Sequence, residues 1–478
     1  MTAKSGIDYV NRIDNMQSEI WIDGKKITGK ISEHAAFKGI ISSQAALYDL
    51  QHEQSLSDVM TYVSPTTKDK IGTSFLQPRT ISDLHKRRNM IQHWAKKSAG
   101  MMGRSPDYMN TVLMAFASSA EFLRGKKNCF PDNLIEFYEH AREEDLSFTH
   151  TFINPQINRS QFYFEDSDQP PIAARRVDTT DEGIVVKGAR LLATQGGITD
   201  EILVLSPGGV SDSTSAFFFS IPSNTKGLKF ICRESFMAGD SKFNYPLSSR
   251  FEEMDTIVVF DNVVVPWDRV FYYDNIEVAN KFKNHSAFLP FTLHQVVSRQ
   301  IIKTEFVLGV TQSIVDTINS SEYQHVQQKL AEIIMALETM KALLTASETD
   351  AQVDEFGLMR PNVTPLQVAS AYFPKVYPRL TEIVQLLATS GIITIPTEED
   401  FESELQSDLE LYLQAATRKA KDRVKLFRLA WDLTMSAFGT RQTQYERFFF
   451  GDPIRLSSEL YHSYDKTNYT KWIDQLLK

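Results

Sequence analysis

Cysteine is almost missing from this chain: Cys129 and Cys232 are the two in 478 residues. They are far apart and match no metal-ligand spacing. A disulfide framework and an iron–sulfur ligand set are therefore excluded, no metal is expected, and a reducing compartment suits the chain. No apolar run of about 18 residues occurs, so no membrane partner is expected. Met1 to Gly24 is polar and mixed in charge, without the apolar centre of a secretory leader, and a cytoplasmic protein is the expectation. Long basic runs are missing too. Against 60 acidic residues stand 51 basic ones, a net charge of −9, and nucleic acid is not an expected partner. There is no Gly-x-Gly-x-x-Gly, Walker A loop, His-Glu-x-x-His or Gly-x-Ser-x-Gly; Gly196-Gly197 and Gly208-Gly209 stand alone. If this is a redox enzyme, its electrons come from something other than a nicotinamide held on a Rossmann domain.

What is present is material for a large core: 42% hydrophobic residues, with 31 Phe and 17 Tyr. The length exceeds one usual domain. Three segments follow from the patterning: a helical one over 1–148, a strand-rich one over 149–274 and a helical one over 275–478. Helical spacing recurs at Leu84, Ile91, Trp94 and Ala95, and again over Asn133 to Asp145. Pro106 ends one helix or starts the next. Asp181-Glu182-Gly183 marks a hairpin turn into Ile184 to Arg190, and further strands are expected at Ile202 to Leu205, Ser215 to Ile221 and Thr256 to Phe260. Short strands without intervening helices predict an antiparallel barrel or sandwich. Long helical segments are expected at His294 to Ile318, Tyr323 to Ala351, Leu366 to Ser390 and Glu402 to Phe438, the third kinked or split by Pro374 and Pro378. Together they suggest a four-helix bundle.

Several segments carry chemistry. Gly103 to Tyr108 places Arg104 and Tyr108 four residues apart on a turn entering a helix, and Thr149 to Arg159 sets His150 among hydroxyl and amide side chains. A cation, a phenol and an imidazole are what a site needs to bind and deprotonate an aromatic hydroxyl. Each alone also reads as a loop clamp or a structural histidine. Ala193-Thr194-Gln195-Gly196-Gly197 offers polar groups to the edge of a flavin ring, or is simply a glycine turn. Gly439-Thr440-Arg441 reads as a loop that cradles a pyrophosphate or as a helix C-cap before a charged helix. Lys86-Arg87-Arg88 reads as a solvated helix face, and His294 as a capping or packing residue.

Gly-Arg-Ser-Pro-Asp-Tyr at 103–108, Thr-His-Thr-Phe-Ile-Asn-Pro-Gln-Ile-Asn-Arg-Ser at 149–160, Phe-Asp-Asn-Val-Val-Val-Pro-Trp-Asp-Arg-Val at 260–270 and Tyr-Glu-Arg-Phe-Phe-Phe-Gly-Asp-Pro at 445–453 resemble the oxygenase component family of 4-hydroxyphenylacetate 3-monooxygenase. The resemblance implies an acyl-CoA dehydrogenase-like α+β fold, with N-terminal helices, a central antiparallel β-barrel and a C-terminal four-helix bundle, assembled as a homotetramer. It implies FAD, supplied as FADH2 by a separate flavin reductase, with molecular oxygen as co-substrate. A C4a-hydroperoxyflavin then hydroxylates a phenol ortho to its hydroxyl. Phenol binding and catalysis map by resemblance onto Arg104, Tyr108 and His150. Flavin contacts map onto His150, Gln156, Ile157, Asn158, Arg159, Thr194, Gly439, Thr440 and Arg441. Ser206 maps onto a substrate-facing loop, with closure of the site expected around Ser206 to Ser213. Two alternatives share the superfamily: a 4-hydroxybutyryl-CoA dehydratase, whose iron–sulfur chemistry this cysteine content does not supply, and an inactive scaffold.

Overall fold

The computed structural model describes residues 3–156 and 171–478, and Ile157, Asn158 and Arg159 lie outside them. The chain divides into two compact units. The first comprises residues up to 242, 247–295 and 353–360; the second comprises 243–246, 296–352 and 361–478.

The first unit holds the strands β1 (Ile20–Ile22), β2 (Lys25–Lys26), β3 (Thr61–Val63), β4 (Lys70–Gly72), β5 (Phe148–Thr151), β6 (Arg175–Thr179), β7 (Gly183–Thr194), β8 (Glu201–Val204), β9 (Phe217–Pro222), β10 (Leu228–Cys232), β11 (Asp255–Pro266) and β12 (Val270–Tyr273). A six-stranded sheet runs β2-β1-β10-β11-β7-β6, a four-stranded one β12-β9-β8-β5, and β3 pairs with β4 in a hairpin. The hairpin expected at Asp181 to Gly183 forms between β6 and β7.

Neither larger sheet closes on itself among the described residues, so the expected barrel is two open sheets packed face to face. Closure needs a continuous ladder from edge to edge. Here β5 reaches β7 through one isolated bridge, Ile153 with Leu191, and Arg176 of β6 meets Asp274, just past β12, through side chains. Pairing is not purely antiparallel either. β1 joins β10 and β5 joins β8 in parallel, because each enters its sheet after a helical segment and meets a strand far along the chain.

Side chains alternate across the four-stranded sheet. Phe219 meets Phe260 of the six-stranded sheet edge-on at 6.4 Å. On the other face Phe218 lies 5.2 Å from Phe116 of the helix Pro106–Ser118. Pro106 is the first residue of that helix, where its missing N–H costs nothing. The helix Ile81–Lys97 opens on a capping box, Thr80 with Asp83. Its basic triplet is not a solvated face. Arg87 is buried and donates to the carbonyls of Ser74 (3.0 Å) and Leu76 (2.7 Å) and to Thr111 Oγ1 (2.6 Å). A charge-bearing residue type predicts exposure by default, and donors met by carbonyls and a buried hydroxyl reverse that default.

In the second unit the helix Val363–Ala388 runs uninterrupted through Pro374 and Pro378. Thirteen of its residues are buried, and that packing outweighs the backbone bonds the prolines remove. The helix expected over Glu402 to Phe438 is instead Gln406–Tyr412, Ala420–Thr434 and the start of Ala437–Phe448. Tertiary bonds hold the break open: Thr417 Oγ1 donates to Asp316 O at 3.0 Å and Arg418 Nε to Thr317 Oγ1 at 2.9 Å. Val307, Val310 and Ile314 are buried, whereas Ile318 is exposed. Among the described residues no helix is long and apolar enough to cross a membrane.

Candidate active site

The turn before the helix Pro106–Ser118 is fixed by a buried carboxylate. Glu253 Oε2 accepts from Gly103 N at 2.9 Å and Oε1 from Arg104 N at 2.7 Å. Asp107, in the first helical turn, accepts from Ser105 Oγ at 2.5 Å and Gln295 Nε2 at 2.8 Å. Burial raises its pKa, opposed by those two hydrogen bonds and by Arg87. With the backbone held at both ends, the i,i+4 spacing brings the Arg104 guanidinium over the Tyr108 ring, 4.4 Å from its centre. Tyr108 is buried, which raises its pKa, while Arg104 pulls the other way. It remains a hydrogen-bond donor at neutral pH.

His150 comes from β5, and strand alternation separates it from its neighbours. Thr149 Oγ1 donates to Thr194 O at 2.6 Å and Thr151 Oγ1 to Leu191 O at 3.2 Å, both toward β7. His150 points the other way, with its ring centre 6.0 Å from that of Tyr108 and stacked on Phe152 at 5.7 Å. Burial, then the positive charges of Arg104 and Lys283, push its pKa well below the ordinary imidazole value. The residue as a whole is half-buried, but its surroundings are crowded enough that burial leads. The imidazole is therefore neutral at neutral pH, and its buried Nδ1 has no hydrogen-bond partner.

At the end of β7, Thr194 Oγ1 donates to Asp255 Oδ1 at 2.8 Å. The next residue, Gln195, takes a left-handed φ of 63° and is 1% exposed. A non-glycine residue there is strained, and strain of this kind collects at functional positions. Its N donates to Met254 O at 2.7 Å, and its Nε2 to Glu253 Oε1 at 3.0 Å and Arg104 O at 3.2 Å. Glycine is obligatory in the turn that follows. A Cβ on Gly196 would lie 2.1 Å from Thr256 Oγ1, and Gly197 has φ +86°.

Arg104, Tyr108, His150 and Thr194 are thus one neighbourhood of the first unit. Ser206 is more distantly engaged: its Oγ donates to Phe217 O and accepts from Phe217 N, both at 2.9 Å, with Tyr272 Oη at 3.3 Å. Gln156 is exposed. Gly439, Thr440 and Arg441 belong to the second unit and form neither a loop nor a C-cap. They lie in the first turns of the helix Ala437–Phe448, capped by Ser436, whose Oγ accepts from Gly439 N at 3.0 Å. A Cβ at Gly439 would sit 2.6 Å from the Leu433 carbonyl, so glycine here answers a close backbone approach. Glu253, Gln295 and Lys283 escaped the sequence reading. No local pattern marks them, because each reaches the site from a distant part of the chain.

The polar groups present fit a flavin ring edge. Gln195 Oε1, on the residue that follows Thr194, is buried without a hydrogen-bond partner. A buried acceptor left open there fits a ring N–H of an isoalloxazine.

Residues 5–272 match the family model of the 4-hydroxyphenylacetate 3-hydroxylase N terminal part, and 279–478 match its C terminal part. A probable 4-hydroxyphenylacetate 3-monooxygenase of Bacillus subtilis is 60% identical over 99% of this chain and 98% of its own. The 4-hydroxyphenylacetate 3-monooxygenase oxygenase component of Thermus thermophilus is 43% identical over 100% and 98%. A crystal structure of such an oxygenase component complexed with FAD and 4-hydroxyphenylacetate superimposes with TM-score 0.93 at 42% identity, over 99% of this chain and 98% of that one. A 4-hydroxybutyryl-CoA dehydratase from N. maritimus, 19% identical with TM-score 0.87, shares the fold. The chain belongs to the 4-hydroxyphenylacetate 3-hydroxylase family.

Proposed function

We propose that this protein is the oxygenase component of a two-component monooxygenase that uses reduced FAD and oxygen to hydroxylate a 4-hydroxyphenylacetate-like phenol to a catechol. The observation that carries this is the cluster of Arg104, Tyr108 and a neutral His150. A neutral imidazole is the form that accepts a proton, and a phenolate is a far better ring nucleophile than a phenol. The substrate hydroxyl gives its proton to His150 Nδ1, the atom without a partner. Arg104 stabilises the oxyanion that forms, in a site whose low dielectric strengthens the attraction. Tyr108 donates a hydrogen bond that fixes the ring. When bound, reduced FAD supplies the two electrons with which oxygen is split, one atom entering the ring and the other leaving as water. Gln156 to Arg159, Thr194 and Gly439 to Arg441 hold that flavin. Ser206 begins the loop that excludes water as the site closes.

A separate flavin reductase delivers the cofactor by diffusion, and the chain works in the cytoplasm as a homotetramer of the acyl-CoA dehydrogenase-like architecture, segmented near residues 148 and 274. Support for assembly comes from the last helix, Thr467–Leu476, which has no buried residue and leaves Trp472 62% and Leu476 69% exposed. The Gly439 to Arg441 turn is then placed near a neighbour's flavin. Mixing the purified chain with FADH2, oxygen and 4-hydroxyphenylacetate tests the reading. Catechol above the peroxide background is expected. Hydrogen peroxide alone, across a broad panel of phenols, would sink it.

A further inference from the structure

Glu253 is 1% exposed and belongs to neither group of residues expected to touch phenol or flavin, yet it bonds to both turns that carry them. Its Oε2 takes the Gly103 N–H at 2.9 Å, and its Oε1 takes the Arg104 N–H at 2.7 Å and the Gln195 Nε2–H at 3.0 Å. Gln195 closes the circuit by donating also to Arg104 O at 3.2 Å. One carboxylate therefore sets the backbone from which the Arg104 guanidinium projects over Tyr108. It also restrains the residue after Thr194, whose left-handed backbone would relax if its side chain were released. Resting on the function proposed above, we infer that Glu253 is a positioning residue that couples the phenol turn to the flavin turn, so that filling one side preorganises the other.

The chemistry of the contact makes this specific. Three donors converge on two oxygens, and only an ionised carboxylate offers acceptors to all of them. In Glu253→Gln one oxygen becomes an NH2 that faces an N–H, so at least one bond is replaced by a donor–donor repulsion. Coupling between two sites is reciprocal and commonly amounts to about 5–150-fold in affinity. Titration calorimetry with 4-hydroxyphenylacetate, with and without saturating oxidised FAD, reads it directly. The intact protein is expected to bind the phenol at least about 5-fold more tightly with FAD present. In Glu253→Gln that factor falls toward one, KM for the phenol rises more than kcat falls, and a larger share of oxygen ends as hydrogen peroxide. Gln195→Met, which keeps the volume and removes the bond to Glu253, gives the same loss of coupling should Glu253→Gln not fold, and FAD affinity measured without phenol separates that loss from loss of a direct contact between Gln195 Oε1 and the flavin. Wild-type coupling that persists in the folded variants, or its absence from the intact protein, overturns the role of Glu253. Failure of the intact protein to hydroxylate any phenol overturns instead the function on which it rests.

Discussion

His150 shows how a residue's surroundings choose its protonation state. In the unfolded chain an imidazole takes up its proton near pH 6.5. In the folded protein, burial and the charges of Arg104 and Lys283 hold that proton off until a much lower pH. Between those two values the unfolded state binds more protons, so stability falls as the pH drops below about 6.5. Urea unfolding across pH 5 to 8 should show this slope, and His150→Gln should flatten it. The same side chain should matter for rate. His150→Ala is expected to keep flavin binding but lose about 10²–10⁴-fold in hydroxylation, with oxygen diverted to peroxide. A wild-type rate at every pH would leave the histidine a purely structural part.

Arg190 is the opposite case. It lies fully buried between the two sheets over the Phe217 ring, 5.3 Å away, and none of its three nitrogens has a hydrogen-bond partner. Burial alone lowers its pKa to about 9. A guanidinium taken out of water without an acceptor is costly, and an apolar chain of similar volume removes that cost. Arg190→Met should therefore raise the melting temperature in calorimetry. A marked fall would mean that the guanidinium finds an acceptor in solution.

At the scale of elements, two helices of the second unit are locked by charges rather than by apolar stripes alone. Glu446 on the helix Ala437–Phe448 accepts from Arg299 at 2.7 and 3.0 Å, from Lys303 at 2.8 Å and from Gln300 at 3.1 Å, the last three residues all on the helix Phe288–Thr317. The Lys303 ammonium also bonds Gln442 Oε1 at 2.6 Å. Burial would raise the carboxyl's pKa, but the two cations and their hydrogen bonds win and hold it at about 2. Its stabilisation is present above the unfolded value near 4.5 and is lost as the pH falls from there toward 2. Glu446→Gln leaves two cations facing a neutral amide and should cost about 3–5 kcal/mol. Chemical denaturation at pH 7 measures it, and a cost below about 1 kcal/mol, the worth of an exposed pair, would show that water reaches the cluster. In the same helix Gly439→Ala must push its Cβ against the Leu433 carbonyl. It should destabilise despite alanine's better helix propensity, which a lower thermal midpoint would register.

For the whole molecule, assembly is the property that exposed side chains bear on. The stripe of Val307, Val310 and Ile314 is already covered within the chain, whereas the last helix leaves Trp472, Ile473 and Leu476 exposed among the apolar side chains open to a partner. Light scattering of the full chain should give a tetramer, and Trp472→Asp with Leu476→Asp should shift it toward smaller species. A monomer that binds FAD tightly would rule out a flavin site shared between subunits.

The sequence by itself determined the elements whose signal is local. β-rich runs bounded by turn residues marked β7, β8, β9 and β11, Pro106 marked a helix boundary, and the Arg104, Tyr108 and His150 segments stood out as chemistry. It did not reveal β1, β5 or β10, because β1 pairs with β10 and β5 with β8 in parallel, across stretches of chain that no local pattern spans. It read Arg87 as solvated, 402–438 as one helix and 439–441 as a loop or a helix C-cap, for a common reason. Each outcome depends on partners remote in the chain: the carbonyls of Ser74 and Leu76, the helix end at Asp316, and the carbonyl of Leu433. Tertiary structure alone decided that His150 is neutral and that one carboxylate, Glu253, ties two turns about 150 and 58 positions away from it. Burial and convergent hydrogen bonding are properties of enclosed space, and a linear pattern of residue types does not contain them.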